Sequence, residues 1–129
     1  MKKIILEKNS NGIFVQTKLF KEEKTIDYKF DIIEDLLFSN YIEIDFLNKL
    51  LEDESETWLG TNEGFIEKDG DMLVIGYEQD YEEKKYVFRT KPKYLVDMIE
   101  RWEEIFKINP NKISILLYKD GKVKINPVD

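Results

Sequence analysis

The sequence contains no cysteine and no histidine. Without cysteine there is no disulfide, no thiolate metal ligand and no thiol nucleophile. Without histidine the commonest nucleophile–base pairs are missing, so acid–base work would fall to carboxylates, lysine or tyrosine. The serines are Ser10, Ser39, Ser55 and Ser114, and none lies in a G-x-S-x-G context. The few glycines sit mostly in turn-like positions, which excludes a Gly-rich phosphate loop, and no Pro-rich stretch divides the chain. No apolar run approaches the roughly 20 residues that a membrane span requires. The opening Met1-Lys2-Lys3-Ile4-Ile5-Leu6-Glu7 carries too few apolar residues for a secretory leader, whose core needs about 7–15. The expectation is a soluble, unprocessed, cytoplasmic protein without cofactor or metal.

What is present argues for a folded chain. Hydrophobic residues make up 42% of the 129, with an ample share of Phe, Tyr and Trp, so residues 1–129 suffice for one globular domain around a single core. Charge is unevenly distributed. Residues 1–30 hold seven lysines against four acids, a net +3. Residues 31–83 hold 17 acids against Lys49 and Lys68, a net −15, and residues 84–129 return to +5. A block that acidic repels itself, so it points to a surface kept for a positively charged partner, solubility being the plainer explanation. The basic residues of the last third are interleaved with acids, which argues against direct nucleic-acid binding.

The clearest element lies at residues 92–107. Tyr94, Leu95, Met98, Ile99, Trp102, Ile105 and Phe106 fall within an arc of about 140° when the chain turns about 100° per residue. Pro92 suits a first helical turn, and Asn109-Pro110 ends the helix. The whole stripe, Trp102 included, reads as core. Elsewhere strand patterns prevail. Residues 3–8 and 13–20 form a hairpin about Asn11-Gly12, and Ile26, Tyr28, Phe30 and Ile32 alternate as a one-sided strand. Phe30, Ile33, Leu36 and Leu37 also fit a helical stripe. The reading adopted is strand to about residue 32, a helical turn to about 38, and a short extended segment at 41–44. Residues 45–54 are a helix candidate with Asp45 as cap. Residues 65–77 make a hairpin about Asp69-Gly70, whose second strand is apolar on both faces and therefore central. Residues 85–89 lead into the helix, and a hairpin about Asp120-Gly121 follows it. Asp69-Gly70-Asp71 lacks the remaining calcium-loop positions and reads as a turn. The expected fold is α+β, a curved antiparallel sheet of about six to eight strands with two main helices packed on one face.

No residue pattern identifies a reaction. Two segments mix rings with carboxylates in a way that no predicted core requires: Glu52, Asp53, Glu54, Glu56 and Trp58, and then Glu78, Asp80, Tyr81, Glu82 and Glu83. Aromatic anchors among charges are what protein interfaces use, and these ten residues are the expected partner-binding surface.

The run Tyr86-Val87-Phe88-Arg89-Thr90-Lys91-Pro92-Lys93-Tyr94-Leu95-Val96-Asp97-Met98-Ile99-Glu100-Arg101-Trp102-Glu103 has a strand entering a Trp-containing helix, with a closing hairpin beyond. In this, and in size and charge, the chain resembles the small acidic immunity proteins of bacterial contact-dependent and other polymorphic toxin systems. The resemblance implies a cytoplasmic, non-catalytic inhibitor of one cognate toxin, often a basic nuclease. It transfers no binding residue, because no matching binding motif is present. The leading expectation is thus a protein-binding inhibitor of a basic toxin domain. Alternatives are an acidic decoy that mimics nucleic acid, of phage or plasmid type, and a carboxylate-dependent enzyme.

Overall fold

The computed structural model describes residues 1–16, 27–38, 52 and 64–128, and the backbone of 58–60. Strands β1 (Lys2–Lys8) and β2 (Phe14–Gln16) are followed by helix α1 (Tyr28–Phe38). Next come β3 (Trp58–Gly60), β4 (Gly64–Asp69) and β5 (Met72–Tyr77), then β6 (Val87–Thr90). Helix α2 (Pro92–Ile108) precedes the closing strands β7 (Lys112–Leu117) and β8 (Val123–Pro127). The fold is α+β with antiparallel pairing throughout the described strands.

In place of the one curved sheet expected, the described strands form two four-stranded sheets, ordered β2-β1-β7-β8 and β3-β4-β5-β6. The reason lies in the pairing of the ends. β7 takes the free edge of β1, with Ile4 opposite Ile115 and Leu6 opposite Ile113, so the N- and C-terminal hairpins close on each other. Helix α2 lies against β8, and α1 lies against β5 and β6. One core cluster runs through both sheets and both helices, from Ile4 and Leu6 through Phe30, Leu73, Phe88 and Leu95 to Ile113 and Ile125. Each such side chain contributes roughly 1.5–3 kcal/mol of hydrophobic stabilisation on full burial.

The expected turns are formed where a residue tolerates positive φ. Gly12 has φ 76, Gly70 φ 63 and Gly121 φ 91. Gly121 does more than turn the chain. It is buried, its carbonyl accepts a 2.8 Å hydrogen bond from the Thr90 hydroxyl, and a Cβ there would lie 2.4 Å from the Arg89 carbonyl oxygen. The β7–β8 turn is thereby docked on the end of β6, joining one sheet to the other. At the tip Asp120 accepts the Lys122 N–H at 3.2 Å. That bond, with help from the Tyr94 hydroxyl and the nearby Lys91 charge, holds the exposed Asp120 carboxyl below its usual range.

The strand expected over 26–32 is a helix from Tyr28. Ile26, Tyr28, Phe30 and Ile32 alternate as a strand does, whereas Phe30, Ile33, Leu36 and Leu37 repeat as a helix does; neighbours decide between the two. Phe30, Ile32, Ile33, Leu36 and Leu37 are all buried, and two adjacent buried isoleucines cannot both face the core of a one-sided strand. Asp27 caps the helix: its carboxylate accepts the Lys29 N–H at 3.0 Å and binds Lys2 at 2.7 Å. Partial burial pushes the Asp27 carboxyl up, but these two bonds outweigh it and hold the group below its ordinary value.

Helix α2 starts at Pro92 as expected and ends at Asn109, whose left-handed backbone (φ 55) returns its N–H to the Ile105 carbonyl. Three residues of its stripe depart from expectation. Tyr94 is half-buried, lies outside the core cluster and donates its hydroxyl to Asp120. Trp102 is half-buried and packs on the edge of the core, while Phe106 is 73% exposed. Phe106 points in nearly the direction of buried Ile99, but two turns, roughly 10 Å, further along the axis. Periodicity fixes direction around a helix and says nothing about where its neighbours stop. Residues 17–20, the extended segment expected at 41–44 and the helix expected at 45–54 lie outside the described residues, except Glu52, which is helical and exposed.

Candidate functional site

Strand β5 is central in its sheet, and Leu73, Val74, Ile75 and Gly76 are all buried, as its doubly apolar pattern required. One of its faces meets the main core. The other carries a small cluster of its own, Phe65, Val74 and Val87. Gly76 makes that cluster possible: a Cβ there would lie 3.0 Å from Val87 and 3.1 Å from the Phe65 ring.

The chain leaving β5 folds back over this outer face. A single 3-10 turn, Glu78–Asp80, is followed by Tyr81, whose ring stands on edge against Phe65 with centroids 5.0 Å apart. The Lys84 N–H closes the loop on the Asp80 carbonyl at 2.7 Å, and Lys84 itself takes a left-handed backbone (φ 50). Its ammonium lies 4.7 Å from the Tyr81 ring centroid and 3.3 Å from a Glu67 carboxylate oxygen. Left-handed backbone costs a non-glycine residue about 1–2 kcal/mol, and this cation–ring–carboxylate contact offsets part of that.

The outcome is an open cavity of about 560 Å³ with exposed Tyr81 as its apolar wall above buried Phe65, and with Glu78, Glu82 and Glu83 among its lining. These three glutamates are exposed, and among the described residues they make no ion pair. By contrast, Glu67 and Asp69 of the same acidic block are paired with Lys84 and Arg89. Comparison with known protein families, curated proteins and solved structures finds no match. What this surface can do must therefore be argued from its own chemistry. Exposed carboxylates that make no ion pair among the described residues suit a cationic group through charge, and the Lys84 ammonium on Tyr81 shows a cation held by ring and carboxylate together.

Of the ten residues expected at the interface, the structure gathers Glu78, Tyr81, Glu82 and Glu83 around one cavity, with half-buried Asp80 closing the loop behind them. Trp58 pairs with Glu67 in the β3–β4 register. Glu52 is exposed, and Asp53, Glu54 and Glu56 lie outside the described residues. Sequence reasoning missed Phe65, Gly76 and Lys84. The glycine among large apolar residues in β5 was the available signal, since a glycine inside a strand marks close approach by a neighbour.

A second group of acids lies on α1. Burial pushes the Glu34 carboxyl up, Asp31 and Asp35 add to the rise, and a 2.9 Å hydrogen bond from Gln16 opposes it. Asp31 is raised by burial and by Asp35, which in turn accepts the Tyr77 hydroxyl proton. These contacts tie α1 to β2 and β5. Neither Asp31 nor Glu34 lines the acidic cavity, so the row is read as structural.

Proposed function

We propose that this chain is a non-catalytic, cytoplasmic protein-binding inhibitor, an immunity protein that neutralises a cognate basic toxin domain. The observation that carries the reading is the cavity over the outer face of β5, where Phe65 and Tyr81 are bordered by glutamates that no cation of the described fold satisfies. Long-range attraction from the acidic block raises the encounter rate with a basic partner, by about 10–1000-fold where such fields are strong. Close charge pairs around the Tyr81 ring then slow its release. Lys84 on the Tyr81 face is an internal example of the contact that a partner's lysine or arginine would make. Neutralisation by occupation asks for no nucleophile, and the lack of histidine and cysteine is of no consequence to it.

The test uses the product of the adjacent gene and measures association at low and high salt. Glu78→Lys, Glu82→Lys and Glu83→Lys together should slow association by at least about tenfold at low salt and flatten its salt dependence. The fold should be unchanged, because all three side chains are exposed. Unaltered affinity and salt slope would make the acidic block a solubility device and move the interface to the basic C-terminal third.

A further inference from the structure

A second cavity, of about 350 Å³, opens between the β1–β2 hairpin, the end of α1 and the last turns of α2. Its walls are aromatic. Phe14 stacks on Phe38 at 5.9 Å, and both meet Trp102 edge-on at 6.0 and 5.2 Å. Phe106 continues the wall at 6.5 Å from Trp102. Buried Leu37 and Ile105 form the floor. A box of this kind ordinarily suits a cationic guest. Here that position is taken, because the Lys8 ammonium lies 5.3 Å from the Phe14 centroid. Among the described lining residues Lys8 is the one charged group and no carboxylate is present, so a second cation would be repelled.

Lys8 donates one hydrogen bond to the Asn109 side-chain carbonyl at the C-terminal end of α2, and among the described residues it has no acidic partner. An ammonium carries three donors, so two remain for a ligand. The volume lies within the range of small-molecule sites, about 300–1,000 Å³. We infer that the cavity walled by Phe14, Phe38, Trp102 and Phe106 binds a small aromatic carboxylate, its rings among the four side chains and its carboxylate on Lys8. The site is separate from the acidic cavity over β5 and does not depend on how that one is used. Its residues come from three distant stretches of chain, which is why no motif marks it.

The probe is 2-naphthoate, titrated into the full chain by calorimetry, with naphthalene-2-methanol as its uncharged counterpart and tetramethylammonium as the cation. At ordinary ligand efficiency a guest of this size should bind with a dissociation constant of about 1 mM or tighter. Lys8→Met keeps the apolar stem and removes the charge. It should weaken naphthoate about tenfold, as loss of a charge-assisted bond does, and leave naphthalene-2-methanol unchanged. Phe106→Ala alters an exposed wall residue with little risk to folding, and should weaken both aromatic probes by about threefold or more. Amide and indole N–H shifts on binding should centre on Trp102 and the Lys8–Phe14 hairpin, leaving Glu78 to Glu83 unmoved. No naphthoate binding at about 5 mM, equal binding by Lys8→Met, or tighter binding of tetramethylammonium would each overturn the inference. Self-association of the chain that Phe106→Ala abolishes, without naphthoate binding, would assign the face to a second copy and overturn it as well.

Discussion

Gly121→Ala should be among the most damaging single-methyl changes in this protein, and Gly70→Ala should not. Both glycines sit at hairpin turns with positive φ, 91 and 63 respectively. Forcing an alanine into such backbone costs about 1–2 kcal/mol in either turn. The two differ in their surroundings. Around Gly70 a new Cβ meets nothing within 4 Å, whereas at Gly121 it would lie 2.4 Å from the Arg89 carbonyl oxygen and 2.9 Å from the Thr90 Cα. Both of those atoms are backbone of β6 and cannot rotate away, so the turn must lift off the strand. Lifting it breaks the buried bond from the Thr90 hydroxyl to the Gly121 carbonyl, and stranding such groups costs about 1–3 kcal/mol. The expected loss is about 2–5 kcal/mol for Gly121→Ala and about 1–2 kcal/mol for Gly70→Ala. The larger figure is a substantial part of the roughly 5–15 kcal/mol that holds most domains folded. Urea unfolding of the two variants beside wild type measures the difference. Losses equal within about 0.5 kcal/mol would mean that the β7–β8 turn is not docked on β6, and the link between the two sheets as described would be wrong.

Trp102→Ala should cost about 2 kcal/mol, roughly half the usual penalty for deleting a fully buried large aromatic, because the ring is half-buried; a loss above about 4 kcal/mol in the same urea series would put it inside the core instead. Glu34→Gln should stabilise the protein at neutral pH. The folded carboxyl is raised above its ordinary 4.5, so its favourable contribution is present below that value and is lost as pH rises through the folded pKa. The variant keeps an acceptor for Gln16, and its advantage should shrink as pH falls towards 4.5; an advantage that grows on acidification has the wrong sign for this account. Tag-free protein should show no hydrolytic or group-transfer turnover, and activity abolished by a single carboxylate substitution would replace the inhibitor reading with an enzyme.

Local chemistry settled the elements that local chemistry controls. Asn11-Gly12, Asp69-Gly70 and Asp120-Gly121 could be read as turns because positive φ is cheap for glycine and costly for most other residues. The bounds of α2 followed from Pro92 at its start and Asn109-Pro110 at its end. The central place of β5 followed from its two apolar faces, and the Glu78 to Glu83 segment from rings and carboxylates standing in one short run. Three matters belonged to tertiary structure. Residues 28–32 suit two periods equally, and the helix prevails because Ile32 and Ile33 both find cover and Asp27 finds Lys2. The eight described strands can be drawn as one sheet or two, and the division depends on β7 pairing with β1 across more than a hundred residues of sequence. The aromatic cavity needs Lys8, Phe14, Phe38 and Trp102 to meet from four separate elements. A residue's own sequence neighbourhood specifies its preferred dihedrals and the face it presents; where that face ends, and what stands opposite, is decided only when distant segments pack.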